Sequence, residues 1–383
     1  MPKPPSSAPS IAQMPGRPFS RLSDRIRSHP GPIYPLHIGD TYMEPFVGGR
    51  MQDLSVEQHP GMHRYAPPSG RPELVEAIVD TVRQKNGLNI ETDGVLVSAG
   101  ATGALSAAVG MFLAPGEEVL ILAPYWPLIR GIVTSFRGTA IEVPFYDRVD
   151  GPEAAVEAIS ERITERTAAI YVSTPSNPTG AVLPESWLVA IAELARRENL
   201  WVLSDEVYER IIYSGEHVSI GQFAPERTFT SFSFSKAYGM AGNRAGCLVG
   251  PAQAVLQARK VSTHTFYSTP TASQIAAHRA LLQGQDWVEN ARTQYGLAGE
   301  AAAQRLGVDA PQGSTFLFLN VESHLDERGI WGFLEDCLED GLLLAPGPSF
   351  GADYAQFVRV CFTSAPPETI ALAVDLLAKR LGR

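Results

Sequence analysis

Two kinds of apolar run alternate through most of the chain. Over residues 72–84, Leu74, Val75, Ile78, Val79 and Val82 recur at helical spacing, and Pro72 stands near the start, where a missing N–H is tolerated. A short continuous apolar run at 95–97 predicts a strand, and after the tight turn Ser98-Ala99-Gly100 a helix covers 101–112. The pattern goes on as a strand at 118–122, a helix at 125–136, a strand at 140–143 and a helix at 152–163. It continues with a strand at 168–172, a helix at 184–198 and strands at 200–204, 228–233 and 246–250. Strands that are apolar throughout, separated by helices, predict an α/β domain whose mostly parallel sheet is covered on both faces.

After Pro251 the character changes. Helical spacing occupies 252–260, 271–282 and 287–305, followed by a strand at 316–321, a helix at 330–338, strands at 342–344 and 357–362, and a last helix at 367–381. That is a smaller α+β unit. The expected division is a large domain over 51–288 and a small one over 289–383, with 19–50 returning to pack on the small domain. Residues 1–18, rich in Pro and Ser and without an apolar signal-like core, read as a flexible arm.

Composition narrows the function classes. A chain of 383 residues exceeds what one core usually holds. The formal charge of −10, with no basic run, argues against a nucleic-acid partner. The longest apolar run, 119–129, is broken by Pro124 and Pro127 and is too short to span a bilayer. Three cysteines (Cys247, Cys337, Cys361), odd in number and far apart, form no disulfide framework and fit a cytoplasmic location. The histidines have no metal spacing, and no Gly-x-Ser-x-Gly elbow is present.

In sheets of this architecture ligands sit beyond the carboxyl ends of the strands. The stretch Ser231-Phe232-Ser233-Phe234-Ser235 alternates hydroxyl and aromatic side chains, stops at Lys236, and leads through small residues to Arg244. Hydroxyls at Ser233 and Ser235 with the Arg244 guanidinium form a cup for a phosphate. A lysine beside a bound phosphate suits a Schiff base with pyridoxal phosphate. Read alone, the same lysine is a surface residue after an edge strand.

Three further groups fall at strand ends, and a fourth lies in the small unit. Gly100-Ala101-Thr102 would turn backbone N–H groups toward an anion at a helix N-terminus; the alternative is an ordinary turn. In Ser173-Thr174-Pro175-Ser176-Asn177-Pro178-Thr179-Gly180 the prolines and glycine fix a loop around Asn177, which either donates its amide into the crevice or caps a turn. Asp205, ending an apolar strand, needs a cation or a proton donor if buried. A pyridinium N–H is one such partner, and Tyr208 could reach the phenolic oxygen of the same ring. The competing account makes Asp205 a helix cap and Tyr208 core, and Glu206 reads as solvated surface. Arg359, inside the apolar strand Phe357-Val358-Arg359-Val360-Cys361, needs an anion: an amino-acid carboxylate matches its fork, and a structural ion pair is the rival.

Taken in this order, the segments resemble the fold-type I pyridoxal-phosphate enzymes, specifically the class I/II aminotransferases, over about residues 38–359. The resemblance implies that fold, a large α/β domain with a mostly parallel central sheet plus a smaller α+β domain. It implies transfer of an amino group from an L-amino acid to a 2-oxo acid. Lys236 would carry the internal aldimine and shuttle the proton on the way to pyridoxamine phosphate, and Asp205 would pair with the pyridine nitrogen. Asn177 and Tyr208 would bond the ring hydroxyl, while Ser233, Ser235, Arg244 and the amides of Ala101 and Thr102 would hold the phosphate. In Pro124-Tyr125-Trp126, Trp126 would stack on the ring, with Tyr125 as second choice. Arg359 would take the substrate carboxylate with help from Gly39 and Asn177.

The resemblance also implies a homodimer with shared active sites, in which Tyr65 reaches the other chain's phosphate and the Tyr267-Ser268 region does likewise. Closure of the small domain over the substrate would go with the two-domain layout. Two departures bear on the substrate: threonine at 102, where some dicarboxylate-specific relatives use lysine, and Thr315 where an aromatic is more frequent. They lead to the expectation of a neutral or polar amino donor, not aspartate. A carbon–sulfur lyase, a cyclase-type synthase or an amino-acid oxidase would share Lys236, Asp205 and Arg359, and is the runner-up. A non-catalytic protein that has kept the cofactor pocket is the third reading, opposed by every catalytic position being filled.

Overall fold

The computed structural model describes residues 6–12, 14, 16 and 22–383. The arm expected over 1–18 therefore falls partly on residues outside this set (1–5, 13, 15, 17 and 18). Helices α1 (Pro9–Ala12), α2 (Ser23–Ser28) and α3 (Pro72–Asn86) precede the sheet. The strand–helix alternation then runs β1 (Val95–Ser98), α4 (Gly100–Phe112), β2 (Glu118–Ala123), α5 (Leu128–Ser135), β3 (Thr139–Pro144) and α6 (Pro152–Ser160). It continues through β4 (Thr167–Ser173), α7 (Glu185–Arg197), β5 (Trp201–Asp205), β6 (Thr228–Ser233), the single turn α8 (Phe234–Ala237) and β7 (Gly246–Val249). Helix α5 starts later than its apolar pattern predicts. Tyr125 gives its N–H to Phe350 across the chain at 3.0 Å, and Pro127 occupies the cap.

These strands form one sheet in the order β1-β7-β6-β5-β4-β2-β3. Pairings from β3 through β6 are parallel, and β7 runs antiparallel to both neighbours. Because both faces are covered, alternate residues of a single strand enter different cores. Val119, Ile121, Ala169, Tyr171 and Leu203 pack with α4 and α5, whereas Leu120, Leu122, Ile170, Val172 and Val202 pack with α6 and α7. That is why these strands read as unbroken apolar runs.

The chain continues through α9 (Ala252–Thr265), α10 (Thr271–Gln283) and the long α11 (Gln285–Leu306) into β8 (Phe316–Asn320), α12 (Gly329–Glu339), β9 (Ala345–Pro346), β10 (Phe357–Cys361) and α13 (Pro367–Arg380). Strands β8, β10 and β9 form a second, antiparallel sheet. Its core includes Leu22 and Leu36 from the N-terminal segment. The strand predicted at 342–344 is displaced: the pairing with β10 falls at Ala345–Pro346. The backbone before it is taken by the N-terminal segment, with Tyr34 N–H on Gly341 O at 2.8 Å and Leu343 N–H on Tyr34 O at 3.1 Å. Among the described residues no helix is long and apolar enough to cross a membrane.

One close approach ties the sheet to α4. A Cβ at Gly246 would stand 2.7 Å from Gly100 C, 2.7 Å from Phe232 O and 2.9 Å from Ala101 N, all backbone atoms that cannot swing aside. Gly246→Ala is therefore expected to destabilise the fold by roughly 1–3 kcal/mol. The check is a lower denaturant midpoint at unchanged slope.

Candidate active site

Parallel strands bring their carboxyl ends to one edge, and the loops after β1, β4, β5 and β6 meet there. Together with the N-terminal segment and β10 they enclose a cavity of about 240 Å³. It is lined by Gly39, Ala101, Thr102, Trp126, Asn177, Asp205, Val207, Tyr208, Ser233, Ser235, Lys236, Ala241, Arg244 and Arg359. The site residues named from the sequence lie on this wall except Tyr125 and the three expected to reach a neighbouring chain, Tyr65, Tyr267 and Ser268; Tyr65 is 85 % exposed and pairs with Tyr267 at 4.9 Å between ring centroids. Val207 and Ala241 are additions. The two aromatics of the Tyr125-Trp126 pair separate: Trp126 faces the cavity, while Tyr125 is buried and donates its hydroxyl to Glu142 at 2.6 Å.

Asp205 closes β5 between two strands that each supply a hydroxyl. Tyr171 of β4 donates to Oδ2 at 2.7 Å and Ser231 of β6 to Oδ1 at 3.3 Å. Burial pushes the Asp205 carboxyl up to about 6; these hydroxyls and a backbone bond from Val207 oppose the shift, and neighbouring Glu206 adds to it. The sequence named neither hydroxyl as a partner of Asp205, although Ser231 opens the hydroxyl–aromatic run. The signal was parity: in the register Ser173↔Asp205 and Asp205↔Ser231, Tyr171 shares the face of Asp205 two residues back along β4.

Lys236 rides on α8, whose second amide is capped by Ser233: Ser235 N–H reaches Ser233 Oγ at 3.1 Å. Its ammonium donates to the Gly39 carbonyl and lies 3.4 Å from Asp40 Oδ1. Burial lowers the lysine's pKa, and Asp40 works against that. Asp40 is a further residue the sequence reading passed over, although it adjoins Gly39.

Arg244 adopts the left-handed region (φ 51°) and is aimed by backbone carbonyls, Nη1 on Ala241 O at 2.9 Å and Nη2 on Ala99 O at 3.2 Å. Gly100 (φ 69°) leaves the room for it, since a Cβ there would sit 2.5 Å from Arg244 Nη2. Arg359 is buried, with Nη1 on Asn177 Oδ1 at 2.9 Å, Nη2 on His37 O at 2.8 Å, and Nε without a partner. Its guanidinium lies 4.1 Å from the Phe316 ring centroid. Burial lowers its pKa. Asn177 uses its oxygen on Arg359, which leaves the –NH2 end as its donor toward the cavity.

One reading is overturned. Glu206, expected to be solvated, has a fully buried side chain that accepts from Ser204 Oγ at 2.7 Å, from the Ser219 hydroxyl and from His217 Nε2 at 2.9 Å. In a sheet covered on both sides, the residue after a cleft-facing one enters the other core.

The wall suits a pyridoxal phosphate. A buried acid oriented by neutral hydroxyls matches a ring nitrogen, a desolvated amine matches an aldehyde, and Gly100 leaves space for a guanidinium beside serine hydroxyls and helix-start amides, as a phosphate requires.

Comparison with known proteins agrees. The family model for aminotransferase class I and II matches residues 41–377. The aspartate/prephenate aminotransferase of Thermus thermophilus is 34% identical over 331 residues, 84% of each chain. The arginine–pyruvate transaminase of Pseudomonas aeruginosa is 30% identical, covering 85% of this chain and 84% of the relative. A solved structure of a Thermus thermophilus aspartate aminotransferase double mutant superposes with a TM-score of 0.89 at 29% identity, covering 98% of this chain and 100% of that one.

The Asp205 shift has a sign that can be tested. Its folded value of about 6 lies above the ordinary 3.8, so its contribution to stability is full at low pH and is lost as pH rises through 6. In cofactor-free protein, Asp205→Asn is expected to be more stable than the parent at pH 8, on the order of 2 kcal/mol. The advantage should vanish toward pH 4, and urea unfolding at the two pH values is the measurement.

Proposed function

We propose that this chain, which belongs to the class I and II aminotransferases, moves an amino group between an amino acid and a 2-oxo acid with the cleft residues in the following roles. Pyridoxal 5′-phosphate, on which the family depends, supplies an aldehyde that joins amines and a protonated ring that withdraws electrons. The observation that carries the reading is the buried Asp205 carboxylate facing the same cavity as the desolvated Lys236 amine.

Asp205 would keep a proton on the ring nitrogen, and Tyr208 and the Asn177 amide would bond the ring hydroxyl. Ser233, Ser235, Arg244 and the amides of Ala101 and Thr102 would hold the phosphate, with Trp126 against the ring face. Lys236 Nζ, its pKa lowered by burial, would take the proton from the substrate α-carbon and return it on the other side of the reaction. Arg359 would grip the substrate carboxylate in a bidentate pair, with Gly39 and Asn177 beside it. Its phenylalanine packing excludes water and strengthens that pair. The relatives reported above are named aminotransferases or transaminases, which does not favour the lyase, synthase or oxidase readings.

The donor is the finer question. Among the described residues the cavity wall carries three cations, Lys236, Arg244 and Arg359, each already given a role, and threonine stands at 102. We therefore favour a neutral or polar donor. The names of several relatives support aspartate as the second reading. A homodimer is supported by the exposed Tyr65–Tyr267 pair, which lies off its own chain's cavity wall and so suits a neighbouring subunit. The three buried free thiols fit a reducing cytoplasm.

Borohydride reduction of the holoenzyme should attach the cofactor to the peptide containing Lys236, and Lys236→Ala should lose this along with amino transfer, by at least about 10²-fold. Arg359→Lys, which keeps the charge but not the fork, should lower kcat/KM by roughly 10- to 100-fold across amino donors. Half-reaction rates across a panel of amino acids decide the donor class. Aspartate or glutamate leading by a wide margin would refute the neutral or polar assignment.

A further inference from the structure

Behind Asp205, on the other face of β5, lies a buried acid that the cleft does not use. Ser204 and Glu206 flank Asp205 in sequence and point to the opposite face, into the core that holds Val202, Ile220 and Ala224. The Glu206 side chain is 0% exposed and that of His217 only 7%. Ser204 Oγ, the Ser219 hydroxyl and His217 Nε2 all converge on its carboxylate. The Glu206 N–H extends the ladder beyond Asp205, reaching Ser231 O at 3.1 Å, and Ser231 is also the residue whose hydroxyl meets Asp205.

A carboxylate placed away from water is costly to keep, and an apolar side chain of the same volume would serve the core better. Its location gives the reason. The residues on either side of Asp205 are joined by a side-chain hydrogen bond, so the backbone over 204–206 cannot rotate without breaking a buried bond to a charge.

We propose that Glu206 and His217 are positioning residues for Asp205, a buried charge pair that fixes the aim of its carboxylate and sets the field in which that carboxylate shares a proton with the cofactor's ring nitrogen. The inference rests on the role given to Asp205 above.

The field at Asp205 has a definite sign. A negative charge at Glu206 opposes ionisation of Asp205, and an imidazolium at His217 cancels it. Burial by itself lowers the pKa of His217, but the charge and hydrogen bond of Glu206 outweigh burial, so the net shift is upward. His217 Nδ1 is buried without a partner, which leaves Glu206 as the hydrogen-bonding counterion of the ring. Glu209 also faces His217 and favours its charged form; its own carboxyl is pushed up to about 7 by burial, with Arg210 and Lys85 acting against that.

The test compares holoenzymes carrying Glu206→Gln, His217→Gln and, as control, Asp205→Asn. Glutamine at 206 keeps the shape, but its one amide oxygen can accept from only one of Ser204 and Ser219, which meet different oxygens of Glu206, so the clamp on the backbone beside Asp205 is loosened. It should raise the dissociation constant of pyridoxal phosphate at least about tenfold, the equivalent of one hydrogen bond to a charge. It should also lower kcat while leaving the donor KM within about twofold. His217→Gln leaves the Glu206 charge uncompensated, which favours protonated groups nearby. The pH at which the bound cofactor's visible absorbance changes should therefore move upward. If both variants merely lower the unfolding temperature, with cofactor affinity and absorbance profile as in the parent, while Asp205→Asn moves both, the inference fails. If Asp205→Asn also moves neither, the assignment of Asp205 fails and takes the inference with it. Should Glu206→Gln not fold, the absorbance profile of His217→Gln decides.

Discussion

The structure turns on one carboxylate held out of water at the end of a parallel strand. Asp205 sits where β4, β5 and β6 run out together, and each neighbour contributes a hydroxyl, Tyr171 from one side and Ser231 from the other. Neutral donors of this kind offset part of the desolvation cost without cancelling the charge, so burial still holds the carboxyl near 6. The parallel arrangement makes this possible. Strands that end on the same side deliver Asn177, Asp205 and the α8 turn bearing Lys236 to a single edge, Asp205 as the last residue of β5 and the others from just beyond their strands.

The second sheet completes the site from the opposite wall. Arg359 lies in the middle of β10, paired across the ladder with Phe318 and Ala345, yet its guanidinium crosses to Asn177 in the loop after β4 and to His37 of the N-terminal segment. Three separate stretches of chain are thus joined through one side chain. The rings of Phe316 and Phe350, 4.1 and 4.9 Å from the guanidinium carbon, keep it dry while interacting favourably with its charge. A motion of the small sheet relative to the large one would carry Arg359, the carboxylate anchor proposed above, with it.

Much of this was legible in the chain because continuous apolar strands mean a covered sheet, and a covered sheet fixes where ligands go. Lys236, Asp205, Asn177 and Arg359 stood out as polar letters at the ends, or in the middle, of apolar runs. The misses share a cause. Tyr171 looks like core, and only the register with β5 reveals that its hydroxyl belongs to Asp205. Glu206 looks like surface because charged residues seldom lie inside, whereas both faces of this sheet are covered and the residue after Asp205 has no route to solvent. The run at 342–344 has strand composition, but which partner its backbone takes is a tertiary matter, and Tyr34 claims it. Asp40 depends on a contact with Lys236 across nearly 200 residues, which no local pattern encodes.

The way the charged groups are oriented explains why the cavity can be both stable and reactive. Arg244 is aimed by the carbonyls of Ala241 and Ala99, Arg359 by the His37 carbonyl and the Asn177 amide oxygen, and Asp205 by two hydroxyls. Among the described residues, each is held by dipoles and not by an opposite charge. Dipoles fix direction but leave most of the field of an ion intact, whereas a protein counterion would have to be displaced before a phosphate, a carboxylate or a pyridinium could bind. Lys236 is the instructive exception. Its amine has Asp40 within 3.4 Å as well as the Gly39 carbonyl, and an amine must lose its charge before it can attack a carbonyl carbon. Burial pulls its pKa down and Asp40 pulls against that, leaving it below that of an ordinary lysine. In the roles proposed above, the groups that would keep their charge are therefore oriented by neutral partners, and the group that would exchange protons is placed beside an acid.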